Sequence, residues 1–256
     1  MLGSENQEIE IGFSGTLLPG VPASTTFDRG ALEGVIESLI QWTQQSLGHE
    51  EIVRAREEFV ARVGKVFSDD PHYLPYMSFF LDYLLFERPA PRSAWDSLSA
   101  VFPDATPPEL TPFIVASRGK PWPSPATMAP SVLDLEGCRH SIFEVLQATR
   151  DHATFKDLMT DEKVEVFNRV GESFVWMAKK DYLQCHLYQW GGKHYVGEGV
   201  LGHLGVVRRA IRKRLKVHKK EAKRSNLDFL LNLVFAKLKH MRLKTTNPIK
   251  IYTEVC

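Results

Sequence analysis

The chain has 256 residues, 43% of them hydrophobic and 25% charged, a composition that excludes a disordered or membrane-embedded body. Its formal charge of +1 conceals two opposed blocks: 201–256 carries 15 Lys and Arg against 3 Asp and Glu, whereas 1–200 carries 17 against 28. Such a split predicts a polyanion-binding or docking element attached to an acidic body.

The length fits about two domains of ordinary size, each with its own core. Met1–Ile11 carries Glu5, Glu8 and Glu10 where a secretory signal needs basic residues followed by an apolar run. The longest greasy stretch, Leu227–Ala236, contains Asp228 and Asn232 and falls well short of the ~20 residues of a membrane span. Three cysteines, Cys138, Cys185 and Cys256, make no disulfide framework, so a reducing cytoplasm is expected.

Residues 1–26, rich in Gly, Ser, Thr and Pro, are read as a partly ordered arm. Asp28 can cap a helix with Leu32, Val35, Ile36, Leu39 and Ile40 at helical spacing, ending near Gly48. His49–Phe67 continues with Ile52, Ala55, Phe59 and Val63 opposed by Arg54, Glu57, Glu58 and Arg62. A third helix, Tyr73–Glu87, is apolar almost all round and belongs in the middle of a bundle. Its Asp82 then needs a buried partner, for which Arg54 and Arg62 are the candidates. A short helical piece is expected at Trp95–Val101. Eight prolines between Pro103 and Pro130 rule out regular helix or central strand, so 103–138 reads as a connector, with a helical domain at 27–102 on one side and a β module at 139–199 on the other.

From Arg139 the periodicity changes to two. Ser141–Thr149, Thr154–Phe155, Lys163–Asn168, Ser173–Met177, Tyr182–Trp190 and His194–Gly197 read as short strands, with a turn at Thr160-Asp161-Glu162 and a hairpin at Gly191-Gly192. That many strands within 139–199 predict a small bent sheet or barrel. Helix returns in 200–256. Over Val207–Arg224 an apolar stripe adjoins a basic arc of Arg208, Arg209, Arg212, Lys213, Lys216, Lys219, Lys220, Lys223 and Arg224. Ser225 and Asp228 have capping-box spacing and restart a helix over Leu227–Leu243. After Pro248, Ile249–Val255 reads as a last strand.

Two stretches resemble a known family. Phe79-Phe80-Leu81-Asp82-Tyr83-Leu84-Leu85-Phe86-Glu87-Arg88 is similar to an aromatic helix that commonly reads F-L-E-W-F-x-F-D. His140-Ser141-Ile142-Phe143-Glu144-Val145, followed by Phe155–Glu162 and Val164-Glu165-Val166, is similar to an S-x-F-E-V strand and a D-L-x-T-G-E hairpin. Both belong to bacterial proteins of uncharacterised function related to SEC-C-motif-containing proteins. This chain lacks the Cys-rich SEC-C tail, has Lys180-Asp181 in place of Gly-Asp, and Asp161 in place of the hairpin Gly. The resemblance implies a helical part followed by a small β module, and it carries no activity.

Chemistry-bearing residues are sparse. Cys138-x-His140 and Cys185-His186 offer zinc-type ligands, yet adjacent Cys185 and His186 must point to opposite faces of a strand, so one surface cannot gather all four. They read as buried thiols and ordinary histidines. Asp69-Asp70-Pro71-His72 reads as a capped turn rather than an acid–base pair. The Gly-rich run Gly197–His203 reads as a strand-to-helix connection rather than a phosphate cradle. G-x-S-x-G, H-E-x-x-H and Walker glycine motifs are missing. No catalytic residue, metal ligand or cofactor is therefore assigned.

The expectation is an α+β protein: an N-terminal helical bundle, a small β-barrel-like module and a C-terminal basic helical pair. Functionally it is expected to be a non-enzymatic cytoplasmic module that binds nucleic acid through the basic arc. The competing expectation is an interaction or scaffold protein whose basic helix docks on an acidic surface and whose Tyr188, Trp190 and Tyr195 anchor a protein partner. An anionic membrane surface fits less well, because the apolar stripe is narrow and lacks Trp and Phe.

Overall fold

A computed structural model describes residues 29–70, 72–91, 111–113, 133–168, 174–221, 225–243 and 247–255. The arm at 1–26, the expected helix at Trp95–Val101, most of the Pro-rich connector, and Lys223 and Arg224 lie outside the described residues.

Helix α1, Arg29–Val63, is broken at Gly48, whose φ of 75° and ψ of 166° leave helical space; this is the boundary marked in the sequence. Helix α2, Tyr73–Phe86, follows a turn in which the Asp70 carboxylate accepts the His72 N–H at 2.9 Å. Tyr76, Phe79, Phe80, Tyr83, Leu84 and Leu85 are all buried, as an all-round apolar helix requires. Arg88, just past α2, ties it to α1 through Glu51 at 2.7 Å and Glu58 at 2.7 Å.

Strands β1 (Arg139–Ala148), β2 (His152–Asp157), β3 (Lys163–Phe167), β4 (Tyr182–Trp190), β5 (Lys193–Val196) and β6 (Leu201–His203) form one sheet in the order β1-β2-β3-β5-β4-β6. An antiparallel β1–β4 ladder, Arg139 opposite Leu187 to Glu144 opposite Tyr182, closes five of them into a barrel. β3 and β5 run parallel and the other pairs antiparallel. A bulge between Val145 and Gln147 bends β1. Gly191 and Gly192, both at positive φ, make the β4–β5 hairpin, and Asp161 at φ 67° makes the β2–β3 turn. Alternate residues fill the barrel, among them Phe143, Val145, Phe155, Val166, Leu183, Cys185 and Leu187.

Two expectations fail here. The stretch expected as strand at Ser173–Met177 holds a 3-10 turn at Phe174–Trp176. Of its apolar residues, Phe174 and Met177 are buried with the barrel-filling cluster, and Val175 and Trp176 are exposed. The last segment, Pro248–Val255, is a helix, not a strand. Asn247 accepts the Ile249 N–H at 2.9 Å, proline suits the first helical position, and Ile251 and Tyr252 bury one face. We number this helix α5, after α3 (Arg208–Lys220) and α4 (Asn226–Arg242).

The outer face of the barrel is covered on two sides. Leu32, Val35, Ile36 and Leu39 of α1 pack on Tyr188, Trp190 and Tyr195. Helices α3, α4 and α5 pack on Ile142, Leu158 and Tyr182. A third cluster joins α1, α2 and α4 around Phe59, Phe79 and Leu231. No helix among the described residues is long and apolar enough to cross a membrane.

Candidate polyanion interface and a buried polar chain

On a wheel of about 100° per residue, the basic arc of α3 divides into two rows. Arg208, Arg212 and Lys219 fall within an arc of about 40° that faces the barrel. Arg208 Nη2 meets Asp181 at 3.1 Å, Arg212 Nη2 meets Glu144 at 3.0 Å, and Lys219 Nζ meets Asp161 at 2.7 Å. Arg212 Nε also donates to the Tyr182 hydroxyl, and both guanidinium groups lie over the Tyr182 ring, at 5.9 and 5.5 Å from its centroid. Lys156 and Lys219 together hold Asp161 down to about 2, below the usual carboxylate range. The basic helix therefore docks on carboxylates of the β module itself.

Arg209, Lys213, Lys216 and Lys220 form the second row, at i, i+4, i+7 and i+11. All four are exposed, and none has an acidic partner among the described residues. The opposite side of the helix, Ala210, Ile211, Leu215 and His218, is buried. Four of the nine cations marked in the sequence thus face outward, three are clasped, and Lys223 and Arg224 lie outside the described residues.

The aromatic anchors expected for a protein partner are not at the surface. Tyr188, Trp190 and Tyr195 are 2%, 5% and 5% exposed, because α1 covers that face of β4 and β5.

Under α2 lies a polar chain that no single stretch of sequence assembles. Gln184, His186 and Tyr188 alternate along the outer face of β4, and α2 and its end supply Asp82 and Glu87. Tyr188 donates to Asp82. His186 Nε2 lies 2.8 Å from Glu87 Oε1, and its Nδ1 lies 3.4 Å from Asp82 Oδ2. His140 Nδ1 lies 2.7 Å from the same Glu87 oxygen, and the two imidazoles stack at 4.5 Å with the Phe79 ring edge-on to both. Asp82 therefore answers to Tyr188 and His186. The arginines expected for it pair elsewhere, Arg54 with Glu51 and Arg62 with Asp228.

Hydrogen-bond polarity along the chain is set by one carbonyl. Gln184 Nε2 donates to the Leu230 carbonyl at 2.8 Å, which fixes the orientation of the amide. Its second N–H then meets His140 Nε2 at 2.8 Å, so that nitrogen accepts and Nδ1 carries the hydrogen. Gln184 Oε1 accepts from His203 Nε2 at 3.2 Å, and His203 Nδ1 accepts from Tyr252 at 2.7 Å. Glu87, His140 and His186 bring three donor atoms within 4.8 Å of one another, a set whose residue types suit zinc. The tautomer of His140 opposes that use, since it presents an N–H, not a lone pair, toward Glu87. Within the trio His186 Nε2 is hydrogen-bonded to Glu87, and His140 Nδ1 approaches the same oxygen as an ion-pair contact.

Burial lowers the affinity of both His140 and His203 for protons, His203 to about 3. Burial acts in the same direction on His186, but the Asp82 and Glu87 charges outweigh it and hold that imidazole above the ordinary histidine range. For Glu87, burial raises proton affinity and the two imidazoles more than reverse it, leaving a carboxylate well below its usual range. Two of these residues, His140 and His186, stood in the sequence as ordinary histidines. The available signal was that both faces of β4 are buried, which leaves Gln184, His186 and Tyr188 in need of partners.

No protein-family model, curated protein or solved structure matches this chain.

Proposed function

We propose that the protein is a non-enzymatic binding module that contacts nucleic-acid phosphates through Arg209, Lys213, Lys216 and Lys220. One observation carries this reading: four like charges share an exposed row with no carboxylate among the described residues to offset their repulsion. Arg209 to Lys220 spans about 16 Å along the helix axis, enough to meet several phosphates of one strand. The clasped row keeps this arc pointing outward.

Backbone contact of this kind reads charge and not sequence. If all four cations meet duplex phosphates, log K falls with log salt with a slope of about −3.6, or about −2.8 on a single strand. The triple variant Lys213→Glu, Lys216→Glu, Lys220→Glu abolishes binding in a fluorescence-anisotropy titration, while Lys250→Glu on α5 leaves it within about twofold. Equal affinity of the triple variant and the parent would overturn the reading.

A further inference from the structure

The turn that begins with Phe174–Trp176 is tied to the start of helix α3 by one carboxylate. Asp181 Oδ2 accepts the Ala178 N–H at 2.8 Å, and its Oδ1 meets Arg208 Nη2 at 3.1 Å. The Lys180 N–H donates to the Val145 carbonyl at 2.7 Å and holds the same turn to β1. Lys180 and Arg209 are thus the chain neighbours of the two members of one ion pair, and both are exposed. Arg209 opens the free cationic row of α3. Lys179 is exposed as well, and neither lysine has an acidic partner among the described residues. Lys180 has a φ of 73°, a conformation that glycine adopts freely and lysine does not. Phe174 and Met177 enter the barrel cluster, whereas Trp176 between them is 52% exposed. Its indole meets no ring and no cation among the described residues. An aromatic face left bare beside cations is what the stacking of an unpaired base requires.

We propose that a single nucleic-acid strand runs from the α3 row across Lys180 and Lys179 and stacks a base on Trp176. The inference rests on the phosphate contact proposed above for Arg209, Lys213, Lys216 and Lys220, and it makes single-stranded nucleic acid the preferred ligand. Trp176 lies five residues from Asp181, so the two are at most about 18 Å apart, a span that a few nucleotides cover. A duplex is stiff over about 150 base pairs and offers its bases only as groove edges, so it can neither follow the turn nor present a ring face. A single strand bends, and its bases are free to stack. An anionic bilayer would also suit the lysines. The turn, however, exposes only Val175 and Trp176 as large apolar groups, far less than an interfacial face needs.

The test titrates the full chain, by fluorescence anisotropy, with a labelled single strand of mixed sequence and with the same strand annealed to its complement. Six phosphate contacts on the single strand give a slope of log K on log salt of about −4.2, against about −2.8 for the helix row alone. Trp176→Ala should lower single-strand affinity about fivefold or more and leave duplex affinity within about twofold. Trp176→Phe keeps a ring, so it should retain most of the single-strand affinity while abolishing the tryptophan quenching that the strand produces in the parent. Lys179→Ala with Lys180→Gly, where glycine suits the backbone, should return the slope to about −2.8. Unchanged single-strand affinity in Trp176→Ala overturns the proposal. So does quenching of Trp176 by phosphatidylserine vesicles with none by the single strand, which assigns the turn to a membrane. The two readings fail separately. If the α3 triple variant loses duplex binding while Trp176→Ala leaves the single strand bound as before, only the stacking site is wrong; if the parent binds neither form, both are.

Discussion

The Leu230 carbonyl reaches well beyond its own helix: by turning the Gln184 amide it sets the tautomers of His140 and His203 and makes Tyr252 a donor. Tyr252→Phe removes that donor and leaves His203 Nδ1 a buried acceptor without a partner, at a cost of ~1–3 kcal/mol read from denaturant unfolding. His203 also gives the protein an acid-sensitive term. Its proton affinity is depressed to about 3 by burial, so the unfolded chain takes up a proton between the ordinary histidine range and that value while the folded chain does not. Stability should fall over this window with a slope of up to about 1.4 kcal/mol per pH unit from this residue, and His203→Gln should flatten the profile. Gly199 marks a second sensitive point, since a Cβ there would lie 2.8 Å from the Phe79 nitrogen and 2.9 Å from its Cα. Gly199→Ala should cost about 1–3 kcal/mol in thermal unfolding through overpacking of α2 against the turn.

At the scale of elements, α3 has three faces: apolar, clasped and free. Neutralising its inner partners with Glu144→Gln and Asp161→Asn should lower stability only slightly, since solvent screens ion pairs that reach the surface. The same double variant should raise affinity for a polyanion, as Arg212 and Lys219 lose their internal competitors; anisotropy at fixed salt checks this. The charge asymmetry behind this helix was legible in the sequence, as were the break at Gly48, the Gly191-Gly192 hairpin and the alternating strands, because each is a local pattern. What escaped notice depends on long-range packing. Strand β6 has three residues and exists only because β4 offers it an edge. Helix α5 carries Ile and Tyr suited to either state, and its cap at Asn247 decided the outcome. Tyr188, Trp190 and Tyr195 look like surface anchors until α1 is laid over them. The carboxylate–imidazole cluster needs α2 and two strands to be brought together, which no spacing in one segment announces.

For the molecule as a whole, the described helices and barrel share their cores, since Leu32, Leu39 and Trp190 belong to one cluster and Phe79, Leu201 and Leu231 to another. Far-UV circular dichroism and tryptophan fluorescence should give coincident denaturation midpoints; separate midpoints would mean that helices and barrel unfold independently. Barrel closure has a further cost during synthesis. The seam between β1 and β4 joins Arg139 to Leu187, so the meander of β1 to β3 leaves the ribosome before the strands that seal it on either side. At ~5–20 residues per second, the stretch from β3 to the end of β5 takes roughly 1–6 s to emerge. During those seconds the nascent meander offers two open ladders to neighbouring chains on the same messenger, which makes translation speed across this stretch a determinant of yield.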